Sequence, residues 1–228
     1  MFHNKREIFF TILATFFVTN AIIGELIGGK LIQLSIFTLS IGILPWPVVF
    51  VTTDIINEYF GKKGVRKLTF IAIGLIIYTF IILALGLSVP AASFSPVDNE
   101  TFSKVFGQSQ WIIVGSITAF LASQLVDVFA FWVIKKRTGH KMIWLRATGS
   151  TVISQLIDTF IIGAIAFWLP GKLSFEEYLS TAVTSYFAKL IIAIALTPLI
   201  YLFHYLAGQY LGEEEASKLA EQSTLDSI

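Results

Sequence analysis

Six long apolar runs constrain this chain more than any other feature. They lie at roughly 8–28, 32–53, 68–87, 110–134, 149–168 and 179–206, and each is close to the span of about 20 residues that a helix needs to cross a hydrocarbon layer. Lipid hydrogen-bonds no backbone, so such segments must satisfy their own polar groups, which a helix does internally. Their length and continuous apolarity disfavour a β-barrel, whose strands are short and alternating. Composition agrees: only 14% of residues are charged and mean hydropathy is +0.78, against about 25% charged in a soluble domain. The fold expected is all-α and polytopic, a compact bundle of six transmembrane helices.

The N-terminal segment has a basic start and an apolar run, but GELIGGK at 24–30 offers no small-x-small cleavage site, so it reads as a retained first helix. Gly28, Gly29 and Lys30 make a tight link to the second span, and the Gly61–Gly64 turn separates the second span from the third. Pro90 and Pro96 break the longest loop. With the N-terminus in the cytoplasm, Lys5, Arg6, Lys62, Lys63, Arg66, Lys67, Lys135, Lys136, Arg137, Lys141, Arg146 and Lys218 all fall inside, twelve of 16 basic residues. Lys30, Lys104 and Lys172 fall outside, and Lys189 lies within the sixth span. The asymmetry predicts both termini on the cytoplasmic side. A competing topology breaks the chain within 42–58, where Pro45, Trp46 and Pro47 interrupt the second span.

Polar residues at membrane depth carry the functional signal. The fourth span holds Ser123, Gln124 and Asp127 as SQLVD, and the fifth repeats the spacing with Ser154, Gln155 and Asp158 as SQLID. Gln and Asp three apart share a helix face, so either pair presents an amide and a carboxylate to one ligand, a set that matches an aminated heterocycle with adjacent N–H and carbonyl groups. Asp158 falls near the bilayer midplane, where a carboxylate needs a partner. Lys189 is a candidate countercharge for Asp158 or Asp127, and a pair that only fixes packing competes with a role in binding substrate or a coupling proton. Asp54 and Glu58 share a face at the end of the second span beside Asn57, and read equally as a membrane-edge pair that solvates the helix end or binds nearby lysines. Asn20 is expected to bond across a helix interface, and Glu25 to be solvated near the outer end. Trp46, between two prolines, is a candidate pocket wall, whereas several of Trp111, Trp132, Trp144 and Trp168 fall near predicted interfaces, where an indole ring is favourable without a ligand.

Other chemistries find little support. The chain has no cysteine, His3, His140 and His204 are dispersed, and no Gly-rich nucleotide loop occurs. No catalytic residue, metal or cofactor is expected. A net charge of +1 gives no reason to expect nucleic acid.

The segments DIINEYFGKKGVRK (54–67), SQLVDVFAF (123–131) and WLRATGSTVISQLIDTFI (144–161) resemble the queuosine precursor transporter family, also called the vitamin uptake transporter family. The resemblance covers approximately residues 10–207. It implies a bacterial plasma-membrane importer of 7-cyano-7-deazaguanine, 7-aminomethyl-7-deazaguanine or both, rather than an enzyme. Carried onto this chain, the family landmarks are Asp54, Asn57, Glu58, Gln124, Asp127, Arg146, Ser154, Gln155 and Asp158. GILPWPVVFVTTD, with its extra Pro and Trp, departs from many relatives. The reading is a membrane transport domain at 1–207 and a cytoplasmic acidic tail at 208–228, with Asp54, Asn57, Glu58, Gln124, Asp127, Gln155, Asp158 and Trp46 as substrate-binding candidates. Its partners are a deazapurine and membrane lipid. Homo-oligomerisation stays open, as does the alternative of a substrate-binding subunit driven by separate ATPase proteins.

Overall fold

The computed structural model describes residues 4–28, 30–34, 37–107, 110–138 and 142–225. Helices dominate: α1 (Lys5–Ile27), α2 (Trp46–Ser88), α3 (Asn99–Phe106), α4 (Gln110–Thr138), α5 (Ile143–Gly163), α6 (Phe175–Ala195), α7 (Thr197–Leu211) and α8 (Glu213–Leu225). Two strands, β1 (Leu31–Leu34) and β2 (Phe37–Ser40), form a hairpin between α1 and α2, and a π-helical turn, Ala164–Trp168, extends α5. Among the described residues, five helical stretches are long and apolar enough to cross a membrane: Lys5–Ile27, Ile41–Ser88, Asn99–Thr138, Ile143–Trp168 and Phe175–Ala195. The chain is an all-α multi-pass membrane protein, as its apolar runs predict.

The expected second span, 32–53, is not a continuous helix. Gly28 ends α1, and Pro45 caps α2 with Pro47 in its first turn. The stretch between them, 29–45, would make only about 25 Å of helix, short of a hydrocarbon layer of about 30 Å. Within it β1 and β2 pair antiparallel instead, with Leu31 opposite Ser40, which satisfies the backbone groups that face each other across the two strands. Ser40 Oγ donates to the carbonyl of Gly28 at 2.6 Å. A Cβ on Gly42 would come within 2.8 Å of the Gly24 carbonyl oxygen, so this close approach to α1 requires glycine. The interruption at Pro45, Trp46 and Pro47 that the competing topology invokes is therefore present. Gly29, from the predicted link, lies outside the described residues.

Within α2, Gly61 alone leaves the helical region, with φ 71° and ψ 179°. A Cβ on Gly64 would meet Ile56 Cγ2 at 3.7 Å. Eight residues of straight helix would separate those positions by about 12 Å, so the chain doubles back at Gly61. Residues 46–60 and 62–88 are two helical arms that meet at this turn, with Gly64 beside Phe60 and Ile56. The predicted connecting segment 61–67 is helical apart from that one residue.

The expected sixth span, 179–206, is also divided. Helix α6 stops at Leu196 and α7 begins at Thr197, because Pro198 has no N–H to continue the ladder. The acidic tail carries the helix α8, preceded by Gly212 at φ 93°. Its Glu213, Glu214 and Glu215 suit the positive end of the helix dipole. Its Ala216, Leu219, Ala220 and Ser223, spaced i, i+3, i+4 and i+7, are buried against the bundle.

The interior is built from Leu13, Phe17 and Ala21 of α1, Ile55 and Ile56 of α2, and Phe120 and Phe131 of α4. In lipid such packing draws on van der Waals contact and close approach more than on exclusion of water. Arg6 stacks over Phe60 at 5.8 Å, and Ser223 meets the backbone of Glu58. Both ends of the described chain therefore lie at the Gly61 end of the bundle.

Candidate substrate site

A polar seam runs through the bundle where the first arm of α2 faces α4 and α5. Along α2, Thr53, Asp54, Asn57 and Glu58 are buried; from α4 come Gln124, Asp127 and Lys135, and from α5 Arg146, Ser150, Ser154 and Gln155. Helices α4 and α5 are antiparallel neighbours, so residues equally far from their connection are level. Asp127 lies eleven residues before Thr138 and Ser154 eleven after Ile143, and Ser154 Oγ donates to Asp127 Oδ1 at 3.0 Å. By the same count Lys135 is level with Arg146.

At the Gly61 end, Glu58 accepts both cations: Arg146 Nη2 lies 2.8 Å from Oε1 and Lys135 Nζ 3.2 Å from Oε2. These side chains are at most 5% exposed. Lys135 sits 4.8 Å above the buried Trp132 ring, and Arg146 lies 5.9 Å from that of Phe131. Asp54 and Glu58 are thus buried rather than solvated at a membrane edge, and Glu58 meets a lysine, the other outcome expected of the pair, because the Gly61 turn folds α2 back and α8 covers this end.

Beside this ionic group, Asp54 Oδ1, one turn back along α2, and both amide atoms of Asn57 have no hydrogen-bond partner among the described residues, and Asn57 is 0% exposed. Gln124 Nε2 donates weakly to Thr53 Oγ1 at 3.4 Å. On α5, Thr159 Oγ1 is another buried hydroxyl without a partner. An amide or hydroxyl buried without a partner costs about 1–3 kcal/mol. A cluster of such atoms is a preformed set of donors and acceptors.

The two SQLxD motifs do not act as equivalents. Ser154 of the second serves Asp127 of the first, while Asp158 turns to α6 and accepts from Lys189 Nζ at 2.8 Å. Lys189 therefore pairs with Asp158 and not with Asp127. Beyond it, Glu25 is buried and accepts from Ser116 Oγ, correcting its expected solvation. Asn20 bonds back to the Phe16 carbonyl at 2.9 Å instead of across an interface. Trp46 lies two turns from Asp54, stacked on Phe50 and 5.7 Å from Phe120, so it walls the hairpin end rather than the Asp54–Asn57 centre.

Sequence reasoning missed Lys135, which reads as part of a solvated KKR run; its spacing of eight from Asp127, two helical turns, is the signal that puts it on the same face. Thr159 directly follows Asp158 and was passed over. Nothing in the sequence marks Ser223. Among the described residues no group of three His, Asp or Glu side chains forms a metal site, and His3 and His140 lie outside them.

A family model described as a putative vitamin uptake transporter matches residues 40–203. The chain is 30% identical over 174 residues to a probable queuosine precursor transporter of Bacillus subtilis, covering 75% of this chain and 74% of that protein. It is 27% identical over 158 residues to a probable queuosine precursor transporter of Haemophilus influenzae, covering 68% and 63%. To the queuosine precursor transporter of Escherichia coli it is 25% identical over 155 residues, covering 67% and 66%. No solved structure matches it.

Proposed function

We propose, for a chain that belongs to the putative vitamin uptake transporter family, the uptake of 7-cyano-7-deazaguanine, 7-aminomethyl-7-deazaguanine or both across the bacterial plasma membrane. The observation that carries the reading is that Asp54 Oδ1 and the Asn57 amide are buried without a hydrogen-bond partner among the described residues, in a bundle whose Gln124, Asp127 and Gln155 are buried too. A deazaguanine edge offers an N–H and an amino group side by side, which a carboxylate accepts together, and a carbonyl that the Asn57 amide can meet. The relatives' names support this class of solute. Asp158, engaged by Lys189, holds α5 to α6 and leaves edge recognition to Asp54 and Asn57.

Six crossings with both termini cytoplasmic fit this reading. The hairpin and the first arm of α2 make the second crossing, its second arm the third, and α6 with α7 the last. The basic residues at the Gly61 end then lie inside. The site opens alternately to either side. Equilibrium binding of labelled deazaguanines to detergent-purified protein tests the site: wild type binds and Asp54→Asn loses at least tenfold in affinity. Equal affinity in the two proteins removes Asp54 from recognition.

A further inference from the structure

Helix α8 reaches further into the polar seam than a surface helix needs to. The break at Gly61 ends the helical ladder, so the Glu58 carbonyl loses the N–H that a continuous helix would supply four residues on. Ser223 Oγ takes that place, donating to Glu58 O at 2.6 Å. Lys135 Nζ joins it, 3.3 Å from the same carbonyl, 3.2 Å from Ser223 Oγ, 3.4 Å from the Ala220 carbonyl and 3.2 Å from Glu58 Oε2. Glu58 Oε1 meanwhile holds Arg146. One network thus ties α2, α4, α5 and α8 together. Leu219, 2% exposed, with Ala216 and Ala220 beside it, packs the apolar part of the contact.

We propose that α8 is a latch on the transport path: Ser223 and Lys135 are positioning residues that hold Glu58 and the Gly61 break shut, and turnover requires α8 to let go. The inference rests on the transport reading. The seam can open at this end only if α2 parts from α4 and α5, and Lys135, Glu58 and Arg146 bridge those helices. The latch is built to be reversible: its polar part closes on a single serine hydroxyl and a lysine shared among four oxygens, and its apolar part is mostly alanine.

A cross-link tests this directly. A Cβ on Gly61 would stand 3.6 Å from Ser223 Cβ, within the Cβ separation of about 3.5–4.5 Å that a disulfide takes. The chain has no cysteine of its own, so Gly61→Cys/Ser223→Cys introduces a single bridge. Cysteine is strained at the positive φ of position 61, so the comparison is made within the one variant, oxidised with copper phenanthroline and then treated with dithiothreitol in proteoliposomes. The latch predicts that uptake falls at least tenfold on oxidation and returns on reduction. Fully cross-linked protein that transports as fast as the reduced form overturns it, since α8 is then a permanent brace.

A second arm needs no uptake. In the full chain, a reporter at Ser223→Cys, a position 5% exposed on α8, is expected to react with maleimide at least tenfold faster than one at Ala147→Cys, 1% exposed on α5, because a latch lets go and exposes it. Equal rates contradict the latch. Absence of uptake by the wild type counts against the transport reading alone, because this rate is independent of it.

Discussion

Lys189 on α6 reaches Asp158 on α5 at 2.8 Å, with the two side chains 24% and 14% exposed. The contact joins two helices across the bundle and answers a carboxylate that lipid would not tolerate alone. If its role is packing, Lys189→Met alone destabilises the protein by about 1–3 kcal/mol, less than a fully buried pair loses. Asp158→Asn/Lys189→Met recovers most of that stability and keeps uptake within about threefold, read by thermal unfolding and transport. A double variant that is stable yet inactive assigns Asp158 to the substrate instead.

Asn57 makes the opposite case. Its amide is fully buried and unpartnered, so Asn57→Ala removes an unsatisfied group and is expected to leave the melting temperature of the ligand-free protein unchanged or raised. Uptake is expected to fall at least tenfold. Parallel melts and uptake assays separate the two, and a variant that loses stability and keeps transport places Asn57 in the framework.

Glu58 is the hub of a buried ionic group. Arg146→Met leaves its carboxylate under-compensated and is expected to cost about 3–5 kcal/mol. Glu58→Gln/Arg146→Met regains part of that loss. Denaturation of the purified protein measures both, and an Arg146→Met protein as stable as wild type contradicts the network.

Outside the spans, Asp98 caps α3 by accepting from the Thr101 amide at 2.7 Å, which holds its carboxyl below the ordinary value of 3.8. A depressed folded value means that the cap contributes fully above 3.8 and is lost as pH falls through the folded value. Protection of the Thr101 amide from hydrogen exchange, corrected for intrinsic rate, is expected to hold from pH 7 down to pH 4 and to decline only below it. Loss of protection already at neutral pH contradicts the cap.

Much of this architecture is legible because lipid leaves a chain few options. Apolar runs near the length of a bilayer mark α1, the second arm of α2, α4 and α5, and the Gly61 turn shows in its flanking lysines. The hairpin is not legible, because LIQLSIFTLS is as apolar as a helix and only the length left between Gly28 and Pro45 decides against one. The break at Leu196 turns on Pro198, hidden in an apolar run. In the site, the Gln and Asp spacings mark Gln124, Asp127 and Gln155, all three buried as Asp54 and Asn57 are. Lys189 is legible as a countercharge because it is a cation within an apolar run, and it pairs with Asp158. The bond between Glu58 and Arg146, 88 residues apart, is not legible, because local periodicity carries no information about such pairings.

The most direct test is uptake into proteoliposomes containing this purified chain alone, with radiolabelled 7-cyano-7-deazaguanine, its aminomethyl analogue and an unrelated vitamin, against empty liposomes. A carrier built on the Asp54–Asn57 site predicts saturable, selective entry of at least one deazaguanine, abolished by Asp54→Asn. Folded, correctly oriented protein that admits neither compound contradicts autonomous transport, and turns attention to a separate energising partner.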